Sequence, residues 1–134
     1  MEKEREQIIA ELKDFFKKRK DVVFAYLFGS IAYNNYNSKS DIDVAVFLKG
    51  KGDHFDKRLE LIVDLETEFK RDADVIILNN AKSLFLKYFI VKEGVIIVDK
   101  DKDKRTEFEF RAMENYFDYL PISRMYDDAI LSKI

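Results

Sequence analysis

The sequence contains no cysteine, no tryptophan, one proline and one histidine among its 134 residues. Without cysteine the chain can form neither a disulfide nor a thiolate metal site, and we expect a reducing, cytoplasmic setting. Glycine is scarce too, with four residues, and no Pro- or Gly-rich linker divides the chain. We therefore expect a single domain covering residues 1–134.

The chain also lacks a long apolar run and a large charge of one sign. No stretch reaches the roughly 20 apolar residues that cross a bilayer, and the opening MEKEREQ is unlike a signal peptide. The formal net charge is −2 although 37% of the residues are charged, and 47% are hydrophobic. This composition predicts a folded domain with no membrane partner and no direct nucleic-acid binding.

The most informative stretch runs from residue 27 to residue 48, LFGSIAYNNYNSKSDIDVAVFL. It begins within the apolar run Val22–Phe28, which predicts a buried strand that ends at Gly29 and Ser30. A glycine allows a sharp turn and lets a ligand approach the backbone, and the serine offers a hydroxyl and an N–H to an anion. This turn is a candidate phosphate site.

Two aspartates open the next predicted strand. Asp41 and Asp43 are two positions apart, so on a strand they point to one face, while Ile42 and Val44 point into the core. Neighbouring carboxylates repel each other unless a cation lies between them, and carboxylate pairs with phosphate oxygens suit Mg²⁺. Either feature alone is most often ordinary turn or strand-edge polarity, but together they predict a phosphate and metal site.

The segment after this pair is predicted to return to the sheet through a helix. Asp53 is a suitable N-cap, and apolar residues at helical spacing continue to about Arg71. Residues 71–78 then predict a third strand. Because a strand, a helix and a strand form a crossover unit, the second and third strands should be parallel and adjacent.

This crossover would bring a third carboxylate to the pair. The third strand begins with Asp72 and Asp74, which have the same parity, so alternation leaves both as candidates to lie beside Asp41 and Asp43. The single histidine, His54, has no partner pattern around it, and we interpret it as a surface residue.

The remaining sequence predicts mainly helices. A first helix covers residues 2–20, a helix from Ser83 ends at Gly94 in a left-handed cap, and a short strand follows at Val95–Val98. Pro121 is predicted to open the second of two C-terminal helices rich in aromatic residues, which would pack on the sheet and leave an exposed subset for a partner or an oligomer. The expected fold class is α+β, a small mixed β-sheet with helices on one face and the metal site on the other, plus C-terminal helices.

Gly29-Ser30, ten further residues and Asp41-x-Asp43 resemble the signature of the DNA polymerase β-type nucleotidyltransferase superfamily. The length and the closing segment FEFRAMENYFDYLP make the chain most similar to the minimal nucleotidyltransferase (MNT) antitoxins of HEPN–MNT toxin–antitoxin pairs. The resemblance covers nearly the whole chain. It departs at residues 33–34, Tyr-Asn, where members of the family often carry Arg-Gly.

The resemblance also implies which third carboxylate is used. In the family it opens a segment like Val-Asp-Leu-Val-Asp-Leu, which corresponds to residues 73–78 and therefore to Asp74. Asp41, Asp43 and Asp74 would hold two Mg²⁺ ions, and Asp74 would also act as the general base.

By the same resemblance, Gly29 and Ser30 would hold the phosphates of ATP, and AMP would be transferred to a tyrosine hydroxyl on a HEPN-type RNase toxin. Two alternatives stay open. A non-catalytic antitoxin would neutralise its toxin by binding alone, which the complete set of acids argues against because buried carboxylates cost stability. A small-molecule nucleotidyltransferase would usually carry an added substrate-binding domain, for which this chain has no room.

Overall fold

The computed structural model describes residues 2–33, 37 and 40–131, and the side chains of residues 4–33, 37 and 40–120. Asn34, where the family often has glycine, lies outside these residues. The described chain alternates helices and strands in the order α1 Glu2–Lys17, β1 Val22–Phe28, α2 Gly29–Ala32, β2 Ile42–Leu48, α3 Phe55–Phe69, β3 Ala73–Ile77, α4 Leu84–Glu93, β4 Val95–Asp99 and α5 Lys102–Leu131.

The strands form one mixed sheet in the order β3-β2-β1-β4. Strand β1 pairs antiparallel with both β2 and β4, whereas β2 and β3 are parallel. Helix α3 connects these two parallel strands, as expected for a crossover. The predicted α+β class, the mixed sheet and the adjacency of the second and third strands are therefore confirmed.

One face of the sheet is covered by α1 and α3. Alternate residues of β1 and β2, among them Leu27 and Val44, are fully buried against apolar residues of the two helices. In α1 the buried residues recur every three to four positions, which places them on one helical face. The buried helical residues of this layer are Ile8, Leu12, Phe15 and Phe16 of α1 and Leu61 and Leu65 of α3.

The second face of the sheet is partly covered by α4 and α5. Tyr26 and Ala45 are buried there with Ile90 of α4, and Phe108 of α5 packs against them. The predicted packing of the C-terminal region on the sheet is thus confirmed for the part of α5 that contains Phe108, and α4 and α5 share this face with Asp43, which is two residues from Ala45 on β2. The sheet therefore has helices on both faces and not on one face only, as the sequence predicted, and the candidate site lies beside the second layer.

Two predicted helix ends differ from the structure. Gly94 ends α4 with φ −71°, an extended conformation, so the predicted left-handed cap is wrong. A glycine is needed there for space, because an added Cβ would lie 2.5 Å from the carbonyl oxygen of Ile90. His54, in the left-handed region, is the N-cap of α3 in place of Asp53. The Asp53 side chain nevertheless accepts a hydrogen bond from the N–H of Phe55, which explains why it has the appearance of a cap.

The prediction that Pro121 opens a separate helix is also wrong, since α5 is continuous from Lys102 to Leu131. Proline removes one backbone hydrogen bond, but its φ is compatible with a helix. The residues before the proline, Tyr119 and Leu120, are not favoured N-caps, so the sequence carries no cap signal for a new helix there. The side chains that follow, from residue 122 to residue 130, lie outside those described.

Candidate active site

The turn after β1 is built around a close contact between a glycine and a carboxylate. Gly29 has φ +78°, a conformation that L side chains rarely adopt. A Cβ added at Gly29 would lie 3.0 Å from Cγ of Asp43 and closer still to its Oδ2. Glycine is therefore required both for the backbone conformation and for the approach of Asp43. Ser30 follows within the single turn of α2, as the sequence predicted.

The register of the sheet places two of the predicted carboxylates side by side. Phe28, which precedes Gly29, pairs with Asp43 across the antiparallel strands, and Asp43 pairs with Asp74 across the parallel strands. Asp41 lies just before β2, two positions from Asp43. Phe28, Asp43 and Asp74 thus occupy one row across β1, β2 and β3, with Gly29 next to Phe28, and we call Asp41, Asp43 and Asp74 the acid row.

Asp43 is the residue of the acid row whose ionisation is most affected. Burial, and to a smaller extent the negative charges of Asp74 and Asp41, together raise the pKa of Asp43 to about 6. The ionised Asp43 side chain is therefore less stable than a carboxylate in water. A cation placed among the carboxylates of the acid row would relieve their repulsion. Their chemistry therefore fits a hard divalent cation such as Mg²⁺.

The third carboxylate is held by an arginine that the sequence analysis did not single out. Arg58 of α3 donates from Nε to the carbonyl oxygen of Val75 over 2.7 Å, and its Nη2 lies 3.3 Å from Oδ1 of Asp74. Within the side chains that the structure describes, no three His, Cys, Asp or Glu residues converge closely enough to share one metal ion. Asp74 contributes its charge to the acid row while one of its oxygens faces Arg58.

The two candidates at the start of β3 differ in their register with β2. Asp74 is in register with Asp43 and acts on its ionisation, whereas Asp72 offers its backbone carbonyl to the N–H of Ile42. His54 is only partly exposed, although it was predicted at the surface, because the left-handed start of α3 turns it inward. Among the described side chains, its Nε2 is a buried atom without a hydrogen-bond partner.

Two further arginines contact the segments on either side of the acid row. Arg5 of α1 donates to the carbonyl oxygens of Ile31 and Ala32 at the end of α2. Arg71 donates to the carbonyl oxygen of Ser40, next to Asp41. Sequence periodicity could not identify these contacts, because a surface arginine in a helix or before a strand has no distinguishing pattern.

Aromatic side chains in contact with one another form a partly exposed face beside the site. Tyr33, which follows α2, contacts Phe89 of α4 with ring centroids 5.8 Å apart, and Phe85 contacts both Phe89 and Tyr116 of α5. Phe85 is 60% exposed. We define the aromatic face by its members, Tyr33, Phe85, Tyr88, Phe89, Tyr116 and Phe117.

An α+β sheet with a glycine turn beside three interacting aspartates is the arrangement expected of a nucleotidyltransferase. The family model described as Polymerase beta, Nucleotidyltransferase matches residues 10–103, which is more than half of the chain. The chain therefore belongs to the polymerase beta nucleotidyltransferase family. A comparison with curated protein sequences finds no match.

Solved structures of toxin–antitoxin complexes have the same fold. A chain of a toxin–antitoxin structure with AMP-PNP is 24% identical with a TM-score of 0.72, and the match covers 95% of this chain and 98% of that one. A chain of the tri-AMPylated Shewanella oneidensis HEPN toxin in complex with MNT antitoxin is 23% identical with a TM-score of 0.68, covering 98% and 99%. In the described part of the chain, no helix combines the length and apolar character needed to cross a bilayer.

Proposed function

We propose that this protein is a Mg²⁺-dependent nucleotidyltransferase that transfers AMP from ATP to a tyrosine hydroxyl of a HEPN-type RNase toxin and thereby acts as its antitoxin. The acid row is the observation that carries this proposal. Asp43, whose pKa is raised by burial and by two neighbouring carboxylates beside an obligatory glycine, is costly to the fold, and the three carboxylates are the donors that a metal-assisted phosphoryl reaction needs.

Each residue of the site has a role in this proposal. Gly29 leaves room for the triphosphate against the backbone, and the hydroxyl and N–H of Ser30 donate to its oxygens. Asp41, Asp43 and Asp74 would hold Mg²⁺, which when bound neutralises charge on the phosphates and on the leaving pyrophosphate. These assignments agree with the row across β1, β2 and β3.

The proton of the acceptor hydroxyl would pass to Asp74. As the tyrosine oxygen forms its bond to the α-phosphorus of ATP, the bond from that phosphorus to the pyrophosphate oxygen breaks, and pyrophosphate takes the electron pair. Asp74 suits the role of base because it lies at the exposed edge strand β3 with its side chain 53% exposed, where an acceptor can reach it. Arg58 engages one oxygen of Asp74 and leaves the other for the proton.

The nature of the donor and of the acceptor is supported by the structural relatives. One of them is a toxin–antitoxin with AMP-PNP, and another contains a tri-AMPylated HEPN toxin with an MNT antitoxin. The chain matches 98% of the length of the first and 99% of the second. This likeness favours ATP as the donor and a HEPN toxin as the acceptor in the proposed nucleotidyl transfer.

The aromatic face is the surface on which we expect the toxin to sit. Helix α4 is apolar on nearly all sides, yet only Ile90 of its ten residues is buried. A helix of that composition is normally covered. Tyr33 joins this face directly to the turn that carries Ser30, so a protein bound there would have its side chains within reach of the acid row.

This surface can be tested with two exposed apolar residues on opposite layers of the fold. Phe85→Lys should weaken the complex with the toxin by more than about tenfold, because a buried aromatic anchor would be replaced by a charge. Val63→Lys on α3, which is 61% exposed, is the matched control and should leave the affinity unchanged. Equal binding by both variants would place the toxin elsewhere.

A non-catalytic antitoxin is the second candidate, and one observation favours it. Asp74 pairs with Arg58, and no three acids converge on one metal position among the described side chains. A protein of this kind would use the aromatic face alone and block the toxin by occlusion. It would form the complex but leave the mass of the toxin unchanged.

The deciding experiment combines the purified chain, a HEPN-type RNase encoded beside it, ATP and Mg²⁺, and follows the intact mass of both proteins. We expect the RNase to gain the mass of one or more AMP groups. Asp74→Asn should abolish this gain, whereas Asp72→Asn, at an exposed position just before the same strand, should retain it.

Three other outcomes would change the assignment. A stable complex without a mass gain would establish occlusion. Transfer of label from ATP only to a small acceptor would establish a small-molecule enzyme. A mass gain that survives both Asp74→Asn and Asp43→Asn would show that the acid row is not the active site.

A further inference from the structure

The turn that carries Gly29 and Ser30 is too short to hold its own conformation. Helix α2 has four residues, and its closing hydrogen bond runs from the N–H of Tyr33 to the carbonyl of Gly29 over 3.2 Å. A single helical turn gains few hydrogen bonds for the dihedral angles that it fixes, and its last carbonyls have no partner within the helix. Something outside α2 has to stabilise it.

Arg5 of α1 provides that contact. Its Nε donates to the carbonyl oxygen of Ile31 over 3.0 Å, and its Nη2 donates to that of Ala32 over 2.8 Å. The guanidinium therefore satisfies both terminal carbonyls with one rigid fork, and its positive charge lies at the negative end of the turn. Ile31 is fully buried in the core, so α2 is held by packing on one side and by Arg5 at its end.

The same turn of α1 also reaches the segment before Asp41. Glu4 lies 3.0 Å from Nη2 of Arg71, and Nη1 of Arg71 donates to the carbonyl oxygens of Asn37 and Ser40 over 3.1 and 3.2 Å. Arg71 is only 12% exposed. The first turn of α1 thus contacts both ends of the connection between α2 and β2, directly through Arg5 and through Arg71.

We propose that Arg5 is a positioning residue for nucleotide binding, which holds the Gly29–Ser30 turn in the orientation that receives the phosphates. This inference rests on the proposed function. Arg5 acts through α2, since both of its hydrogen bonds go to the backbone of that turn. Its loss would let the Ser30 hydroxyl and N–H vary in position, which weakens binding more than it changes the chemical step.

The test compares Arg5→Gln and Arg5→Lys with the wild-type chain. The dissociation constant of AMP-PNP in the presence of Mg²⁺ should rise about tenfold in Arg5→Gln, the size expected for losing a residue that orients a binding group. Lysine at this position can reach one carbonyl but not both. The dissociation constant for Arg5→Lys should therefore lie between those of the wild type and Arg5→Gln. The KM for ATP should rise by a similar factor, with kcat within about threefold of wild type.

A structural control separates positioning from general loss of stability. Arg105→Gln on α5 also removes an arginine with two ion-pair partners, Asp99 and Glu109, but it leaves α2 untouched. We expect Arg105→Gln to lower Tm at least as much as Arg5→Gln while leaving AMP-PNP affinity unchanged. Hydrogen exchange at the Tyr33 amide should accelerate in Arg5→Gln and remain at the wild-type rate in Arg105→Gln.

The two ideas can fail separately. If the wild-type chain binds AMP-PNP and Arg5→Gln binds it equally well, the positioning role is wrong and the proposed function stands. If the wild-type chain neither binds AMP-PNP nor transfers AMP, the proposed function is wrong. Exchange at the Tyr33 amide then decides about Arg5 alone: unchanged protection in Arg5→Gln would overturn its contribution to the turn, and faster exchange would support it.

Discussion

Two groups of acidic side chains lie on the same layer of the molecule, and they differ in how completely basic side chains neutralise them. Beside α5, Asp99 and Glu109 both pair with Arg105, and the buried Tyr26 donates its hydroxyl to Glu109 over 2.8 Å. We call this group the α5 clamp. At the other end of β1, the acid row contains Asp43, whose main charged neighbours are also acids.

The direction of the pKa changes expresses this difference. In the α5 clamp the hydrogen bond to Asp99 and the charges of both acids raise the pKa of Arg105, so each partner stabilises the charge of the other. In the acid row, burial and two like charges raise the pKa of Asp43 to about 6, so the ionised form is disfavoured. The α5 clamp therefore stabilises the fold, whereas the acid row costs stability. The proposed metal-assisted transfer gives a reason for that cost.

Among variants that test this difference, Asp43→Asn should have the largest effect. Transfer of AMP should fall by at least about 10³-fold, because an amide cannot hold a cation as a carboxylate does. The free energy of unfolding at pH 7.5 should rise by about 1–2 kcal/mol, since a disfavoured charge is removed. Mass spectrometry and urea denaturation measure the two effects, and a loss of stability would contradict the electrostatic account of the acid row.

Gly29→Ala should damage the acid row by geometry without a change of charge. The added Cβ would overlap Asp43 and would require a side chain at φ +78°, so we expect transfer to fall about 100-fold and stability to fall by about 1–3 kcal/mol. Gly50→Ala is the matched control, because Gly50 also has positive φ, +85°, but has no atom within 4 Å of an added Cβ. It should lose some stability and keep wild-type transfer; equal losses of transfer would contradict the role of the Asp43 contact.

Arg105→Gln breaks the α5 clamp and should have the opposite profile to Asp43→Asn. Two acids would lose their partner, which should lower the free energy of unfolding by about 1–3 kcal/mol. The rate of AMP transfer measured below Tm should stay within twofold of wild type. Arg111→Gln, whose exposed pair with Glu107 lies on the same helix, should change stability by less than about 0.5 kcal/mol. A large loss of transfer in Arg105→Gln would link the clamp to the site.

The smallest expected effect is a pH dependence that belongs to Asp43. Its pKa is raised in the folded state to about 6 from 3.8, so the folded chain binds this proton more tightly than the unfolded chain. The ionised Asp43 side chain therefore lowers the free energy of unfolding by its full amount above pH 6. This loss is relieved as the pH falls from 6 towards 3.8. The stability difference between Asp43→Asn and wild type should shrink by about 1 kcal/mol from pH 7.5 to pH 5. A difference that is constant over this range in urea titrations would exclude the raised pKa.

Much of the fold could be predicted because its signals are local. The continuous apolar run Val22–Phe28, helical spacing in α1 and α3, and the strand–helix–strand order each depend on neighbouring residues, and together they predict the parallel pairing of β2 and β3. The end of α4 could not be predicted in the same way. A glycine after a helix usually marks a left-handed cap, but Gly94 is extended, and an added Cβ there would also lie 3.3 Å from Cβ of Tyr26 on β1, which is a tertiary constraint.

The candidate site could likewise be predicted from the sequence only in part. Gly29, Ser30, Asp41 and Asp43 follow from one short stretch, since strand parity and turn chemistry are local properties. Parity left Asp72 and Asp74 equivalent, and the resemblance to a family was needed to prefer one. Asp72 and Asp74 differ in strand register, which is a tertiary property. Asp74 pairs with Asp43 and adds the third charge of the acid row.

By itself, the sequence determined the α+β class, the order of the elements and the residues that could form a phosphate and metal site, because each of these depends on periodicity or on a few consecutive residues. Only the tertiary structure decided that Arg58 engages Asp74, that Arg5 stabilises the turn of α2, and that the C-terminal helices share the face of Asp43. These contacts join residues far apart in the chain. Their strength depends on distance and burial, which no local pattern records.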